Sequence, residues 1–185
     1  MIYREVGYNS VEKKKFLFKT LTIGEGGAGK TSLLRRYVEG KFNDSTVLTV
    51  GVDFYIKELD FESKAECTLQ LWDFSGQIRF RHLLGNYVMG ARAALLLVDL
   101  TRMPEMEELV EWVNIVRTHD PVLPILLIGT KADLKDLIAV DDGFMLNVMN
   151  TFNMAGYIKV SAKTGHNVNK VFKVIAKKLM NQNKY

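Results

Sequence analysis

Four glycines fall within eight residues in GEGGAGKT, residues 24–31. The apolar run FLFKTLTI precedes them and the helix-like KTSLLRRYVEG follows. An ordinary turn uses one or two glycines and has no use for the terminal Lys30 and Thr31. Glycine opens backbone angles closed to other residues, so several N–H groups of one short loop can point at a common anion. The helix starting near Lys30 adds its positive end. The spacing fits Gly-x-x-x-x-Gly-Lys-[Ser/Thr] between a strand and a helix, which is the context a phosphate-binding loop requires. Lys30 can reach terminal phosphates, and the Thr31 hydroxyl can serve Mg²⁺.

The remaining chain alternates strand and helix patterns. VDFYIKELDF alternates with period two, ESK makes a turn, and CTLQLWDF alternates again, which predicts a hairpin. RAALLLVDL and PILLIGT are short continuous apolar runs, as in strands buried on both faces. Leu109, Trp112, Val113 and Val116 share helical spacing, with Pro104 suited to that helix's first turn. A weaker helix is expected over 141–152, a last strand in GYIKVSA, and an amphipathic helix through Val168, Val171, Phe172, Ile175 and Leu179. This is an α/β chain. A six-stranded, mostly parallel sheet carries one antiparallel edge strand and helices on both faces. Ligands of such sheets sit at the carboxyl ends of the strands.

Composition narrows the function classes. The chain has 185 residues, a formal net charge of +4 and one cysteine. The modest charge makes no case for nucleic acid. Cys67 alone cannot form an internal disulfide, and a reducing, cytoplasmic setting is expected. No apolar run approaches the roughly 20 residues of a membrane helix. Lys170, Lys173, Lys177 and Lys178 fit a solvated helix face as well as a weak, peripheral contact with an anionic membrane. Met145, Met149 and Met154 read as packing residues, and Cys67 as buried.

Four further stretches fall where the loops gather. Asp133 in GTKAD (129–133) can accept hydrogen bonds from N1–H and the 2-amino group of guanine. Adenine offers neither donor and would leave the carboxylate unpaired. Lys131 can lie over the base. In SAK, the backbone N–H groups of Ser161, Ala162 and Lys163 can meet the guanine oxygen. In LWDFSGQ (71–77), Asp73 ends an apolar strand where a Mg²⁺-side carboxylate belongs, Gly76 can offer N–H to a γ-phosphate, and Gln77 can orient water. The Thr49 hydroxyl can complete the Mg²⁺ shell.

Together these motifs resemble the Ras superfamily of small GTPases, most closely its Rab-like branch. GEGGAGKT, TVGVDF, LWDFSGQIRF, GTKAD and SAK occur in the family's order and spacing. The resemblance implies a small G domain over 16–180, an extension over 1–15 and a short tail over 181–185. It implies that Gly24, Glu25, Gly26, Gly27, Ala28, Gly29, Lys30, Thr31 and Ser32 hold GTP or GDP, with Phe42 edge-on to the base. Thr130, Lys131, Asp133, Ser161, Ala162 and Lys163 hold the guanine. Thr31 and Thr49 bind Mg²⁺ directly and Asp73 binds it through water. Catalysis falls to Gln77, Lys30, Thr49 and Gly76, and Gly26 needs a minimal side chain for the glutamine to work. Thr49 lies in a first switch and residues 76–87 form a second. Phe54, Trp72 and Tyr87 match an aromatic triad shown to effectors, and an exchange factor and a GTPase-activating protein complete the partners.

The chain departs from the family at several places. Phe74, Ser75 and Ile78 replace the usual Thr, Ala and Glu, and Thr130 replaces the commoner Asn. These departures motivate an alternative, a guanine-nucleotide-binding scaffold with little hydrolysis. No arginine is placed by the sequence as a finger in cis, so hydrolysis is expected to be slow, roughly 10⁻⁴ to 10⁻³ per second. The terminal MNQNKY has no cysteine. A prenyl anchor is therefore not expected in this chain, as in a shortened protein or an unlipidated relative of archaeal type.

Overall fold

The computed structural model describes residues 13–44, 49–61, 65–77 and 81–182. The first twelve residues of the expected extension, the ESK turn, Ile78 and the last three residues of the tail lie outside them. Six strands form one sheet: β1 (Lys14–Ile23), β2 (Val52–Phe61), β3 (Ala65–Phe74), β4 (Ala93–Asp99), β5 (Ile125–Thr130) and β6 (Gly156–Lys159). Their order is β2-β3-β1-β4-β5-β6, and only β2, at the edge, runs antiparallel to its neighbour. Phe54 pairs with Trp72 and Phe61 with Ala65 across that hairpin.

The helices are α1 (Lys30–Glu39), α2 (Arg81–Val88), α3 (Met106–Val116), α4 (Asp142–Thr151) and α5 (Val168–Gln182). They divide the apolar residues into two cores. Ala93, Leu95 and Leu97 of β4 face α1 and α5, while Ala94, Leu96 and Val98 face the other layer. β5 divides likewise, with Leu126 and Ile128 on one side and Ile125 and Leu127 on the other. Residues 93–98 of β4 and 125–128 of β5 are therefore apolar without a break. On α5, Val168, Val171, Phe172, Ile175, Ala176, Leu179 and Met180 form the buried stripe. Phe172 stacks on Tyr37 of α1 at a centroid distance of 3.7 Å and an interplanar angle of 8°. Cys67 is buried in β3, and burial pushes its thiol up to about 11. Met145 and Met154 are buried and Met149 packs against the same core.

Several boundaries differ from expectation. β1 begins two residues before Phe16, and α5 runs past residue 180 to Gln182. Pro104 lies one residue before the N-cap Glu105 instead of inside α3. The last strand stops at Lys159, short of the SAK stretch. α2 has no counterpart in the sequence pattern. It buries Leu84 and Val88 but carries Gly85 in its interior, a residue that costs about 1 kcal/mol in a helix.

Candidate functional site

The segments at the carboxyl ends of β1, β3, β5 and β6 open onto one cleft of about 280 Å³. The loop between β1 and α1 forms its floor. Gly24 takes φ +130° and its position leaves no room for a side chain, because a Cβ there would stand 2.3 Å from the Leu97 carbonyl oxygen. Gly27 and Gly29 take φ of +75° and +85°. Gly29 is the N-cap of α1, and no side chain caps that helix. Its first N–H groups are left for an anion. By contrast, the Asp141 side chain accepts the Phe144 N–H at 2.7 Å and closes the start of α4, a cap worth about 1 kcal/mol.

Gly26, Gly27, Gly29, Lys30, Thr31, Ser32, Phe42, Thr49, Gly76, Gln77, Thr130, Lys131, Asp133, Ala162 and Lys163 all line this cleft. Residues drawn from six separate parts of the chain therefore meet there. Lys30 is buried, and its Nζ donates to the carbonyls of Gly24 (2.8 Å) and Glu25 (2.7 Å). Gly76 approaches the loop so closely that a Cβ on it would lie 2.3 Å from Gly26 N. Gly26 has more space, since its own Cβ would meet nothing nearer than the Gly76 carbonyl at 4.0 Å.

Five expected residues stand behind the lining. Gly24 and Ala28 are backbone supports, and the Ala28 carbonyl accepts the Thr130 hydroxyl at 2.8 Å. Glu25 turns its carboxylate to Arg102, 3.1 Å away. Burial and a hydrogen bond shared with Glu108 push that carboxyl above its usual range, against the pull of Arg102. Asp73 is fully buried beneath Thr31. Ser161 corrects an expectation: its N–H donates to the His166 carbonyl at 3.1 Å, and its hydroxyl accepts from Thr164 N. It shapes the loop and has no N–H left for a base, whereas Ala162 and Lys163 face the cleft.

Three oxygens converge at the foot of α1. The Thr31 hydroxyl donates to Asp73 Oδ2 at 2.5 Å and lies 2.7 Å from the Thr49 hydroxyl. Asp73 Oδ1 is buried with no partner among the described residues. Burial pushes the Asp73 carboxyl up to about 6, against the Thr31 hydrogen bond and the Lys30 charge. An orphaned carboxylate oxygen beside two hydroxyls is a hard-oxygen donor set that fits Mg²⁺. A divalent cation there would displace the extra proton.

Asp99 and Arg102 were not singled out from the sequence. Asp99, at the end of β4, is buried, and its Oδ2 accepts from Lys131 Nζ at 2.6 Å. Burial works against its charge. The hydrogen bonds from Lys131 and Thr101 outweigh that and hold the carboxyl below its usual range. Lys131 takes φ +58°, uncommon for a side chain-bearing residue, and the Asp99 contact anchors it in that conformation. Arg102 Nη2 donates to the Gly26 carbonyl at 2.6 Å. Arg102 thus touches the phosphate-type loop from outside the cleft.

The aromatic trio is assembled as well. Trp72 meets Phe54 edge-on at 5.3 Å and Tyr87 at 5.6 Å. Phe54 is 42% exposed and the other two are half-buried. Phe74 is buried, packs on Tyr87 at 5.8 Å and also borders the cleft.

The strand order, the glycine loop and the open start of α1 define a phosphate-loop α/β protein of the small G-domain class. The Ras family model matches residues 19–181. The chain is 39% identical over 135 residues to the Ras-related protein YPT3 of Nicotiana plumbaginifolia, covering 72% of this chain and 62% of that protein. It is 39% identical over 140 residues to the Ras-related protein Rab11D of Lotus japonicus, covering 74% and 64%. With the Ras-related protein Rab-19 of Rattus norvegicus it shares 33% identity over 175 residues, covering 93% and 79%. The chain belongs to the Ras family and is Rab-like within it. The matched segment spans less than two thirds of the length of the two plant relatives.

Proposed function

We propose that the chain is a molecular switch that binds GTP and GDP with Mg²⁺, hydrolyses GTP slowly and engages partners in its GTP form. The observation that carries this reading is the presence of Asp133 in the same cleft as Gly27, Gly29 and Lys30. A carboxylate that matches guanine shares one cavity with a loop that matches phosphates. Lys30 and the N-terminus of α1 neutralise the phosphates, Lys131 lies along the base, and Thr31, Thr49 and Asp73 hold the metal. A Mg²⁺ held by these residues would supply charge neutralisation of the phosphates. Gln77 orients the attacking water, and the Gly76 N–H meets the γ-phosphate. This is catalysis by positioning and charge.

The residues 1–15, 16–180 and 181–185 serve as extension, switch domain and tail. Effectors meet the Phe54, Trp72 and Tyr87 surface, and an exchange factor and an activating protein act at the two switches. No helix among the described residues is long and apolar enough to cross a membrane. A cytoplasmic protein with weak peripheral contact through the α5 lysines fits this picture.

Isothermal titration of the nucleotide-stripped protein tests the reading. GTP and GDP should bind far more tightly than ATP. Asp133→Asn should weaken GDP by about tenfold or more, because an amide cannot accept from both guanine donors. Equal binding of ATP and GTP by the unaltered protein would sink the proposal.

A further inference from the structure

Four carbonyls of the phosphate-type loop accept hydrogen bonds from side chains. Lys30 takes those of Gly24 and Glu25, and Thr130 takes that of Ala28. The Gly26 carbonyl is held by Arg102, 76 residues away in sequence, at 2.6 Å. Arg102 does not line the cleft. It borders a small crevice on the other side of the loop, with Glu25, Asp99 and Trp112.

The described peptide bonds include no cis bond. In a trans peptide the C=O and the following N–H point opposite ways. Drawing the Gly26 carbonyl outward to Arg102 therefore turns the Gly27 N–H away from Arg102, and Gly27 lines the cleft. Glycine at φ +75° has no side chain to restrict it, so an unanchored peptide would sample other orientations. The guanidinium is itself anchored. Nη2 lies 3.1 Å from Glu25 Oε2, and Nε lies 3.6 Å from Asp99 Oδ2. That same Asp99 oxygen takes Lys131 Nζ at 2.6 Å, and Thr101 occupies the other through its N–H and hydroxyl. One buried carboxylate thus fixes both Lys131, at the base end, and Arg102, at the phosphate end.

We infer that Arg102 is a positioning residue for nucleoside diphosphate: it pins the Gly26 carbonyl and so aims the Gly27 N–H at the phosphate beyond the α-position. The inference rests on the nucleotide-binding reading above. The side chain of Arg102 is 47% exposed, so its ion pair alone contributes little. Its effect comes from preorganising one anion contact. A charge-assisted hydrogen bond of this kind, discounted for exposure, corresponds to about a fivefold to tenfold change in affinity.

Displacement of a fluorescent GDP by GDP and by GMP, at low and high salt, tests the idea on the full chain. Arg102→Ala should weaken GDP by about fivefold to tenfold and GMP, which has no second phosphate, by less than about twofold. Arg102→Lys, which can reach the carbonyl with a single donor, should fall between alanine and the unaltered protein. The GDP ratio should persist at high salt, because a pinned peptide is not screened as a distant charge is. An equal loss for GDP and GMP marks general loosening of the site and overturns the inference. So does a ratio that collapses to one at high salt, which marks simple attraction of phosphates by a nearby cation. Unchanged GDP affinity in Arg102→Ala overturns it while leaving the nucleotide-binding reading intact. An unaltered protein that binds no guanine nucleotide overturns both. Circular dichroism of each variant separates loss of fold from loss of binding, and Arg102→Lys carries the comparison if the alanine variant unfolds.

Discussion

Gln77 borders the cleft beside Gly76, and its backbone N–H reaches the Ser75 hydroxyl at 3.4 Å. Ser75 is in turn held to Gly51 through its own N–H at 3.0 Å. The glutamine is thus carried on a segment tied to the strand that follows Thr49. Gln77→Leu should slow single-turnover GTP hydrolysis by about tenfold or more and leave GTP affinity within about twofold. It removes a group used mainly at the transition state. An unchanged rate would favour the scaffold reading, in which the cleft holds guanine nucleotide without turning it over.

At the scale of elements, α1 connects the site to the core. Its N-terminus is the open anion-facing end, and its C-terminal half carries Tyr37 against Phe172 of α5. A stacked aromatic pair adds about 0.5–1.5 kcal/mol beyond the area it buries. Phe172 is fully buried in the cluster that also holds Leu33, Leu34 and Leu69. Phe172→Ala should therefore cost about 3–5 kcal/mol, read as a lower urea midpoint with an unchanged slope. A loss below about 1 kcal/mol would mean that α1 is held chiefly by the sheet. α2 has eight residues and an internal glycine, and among its described side chains Leu84, Tyr87 and Val88 meet the second core.

Across the whole molecule, the cleft and the aromatic surface share residues of the same strands. β2 follows Thr49, β3 ends one residue before Ser75, and Tyr87 of α2 touches Trp72 and Phe74. A γ-phosphate bound by Thr49 and Gly76 would act on both ends of this unit, and its exposed face is the patch formed by Phe54 and Trp72. Pull-down from source lysate should recover partners with a non-hydrolysable GTP analogue and lose them with GDP. An affinity difference of about 100-fold separates mostly bound from mostly free. Tyr87→Ala should weaken that recovery and leave GDP affinity unchanged. Equal recovery in the two nucleotide states would remove the switch claim even if hydrolysis were real.

What was readable from the sequence was local. The glycine loop, Asp133 after the β5 run, Asp73 at the end of β3 and the stripe of α5 each declare themselves within about a dozen residues, because periodicity and turn chemistry act over that range. The alternation of strands and helices then implied the parallel sheet and the end of it where the cleft lies. What only the tertiary structure decided depends on contacts between distant segments. Arg102 reaches Gly26 across 76 residues, and Asp99 joins Lys131 to Arg102 from the end of another strand. No pattern in DLTR distinguishes such residues from an ordinary polar turn. Ser161 lost its expected N–H to His166 for the same reason, since hydrogen-bond partners are chosen by proximity in the folded chain. α2 was hidden because it has only eight residues and Gly85 interrupts its pattern, so the contacts of Leu84 and Val88 with the second core, which the sequence does not display, mark it as a helix.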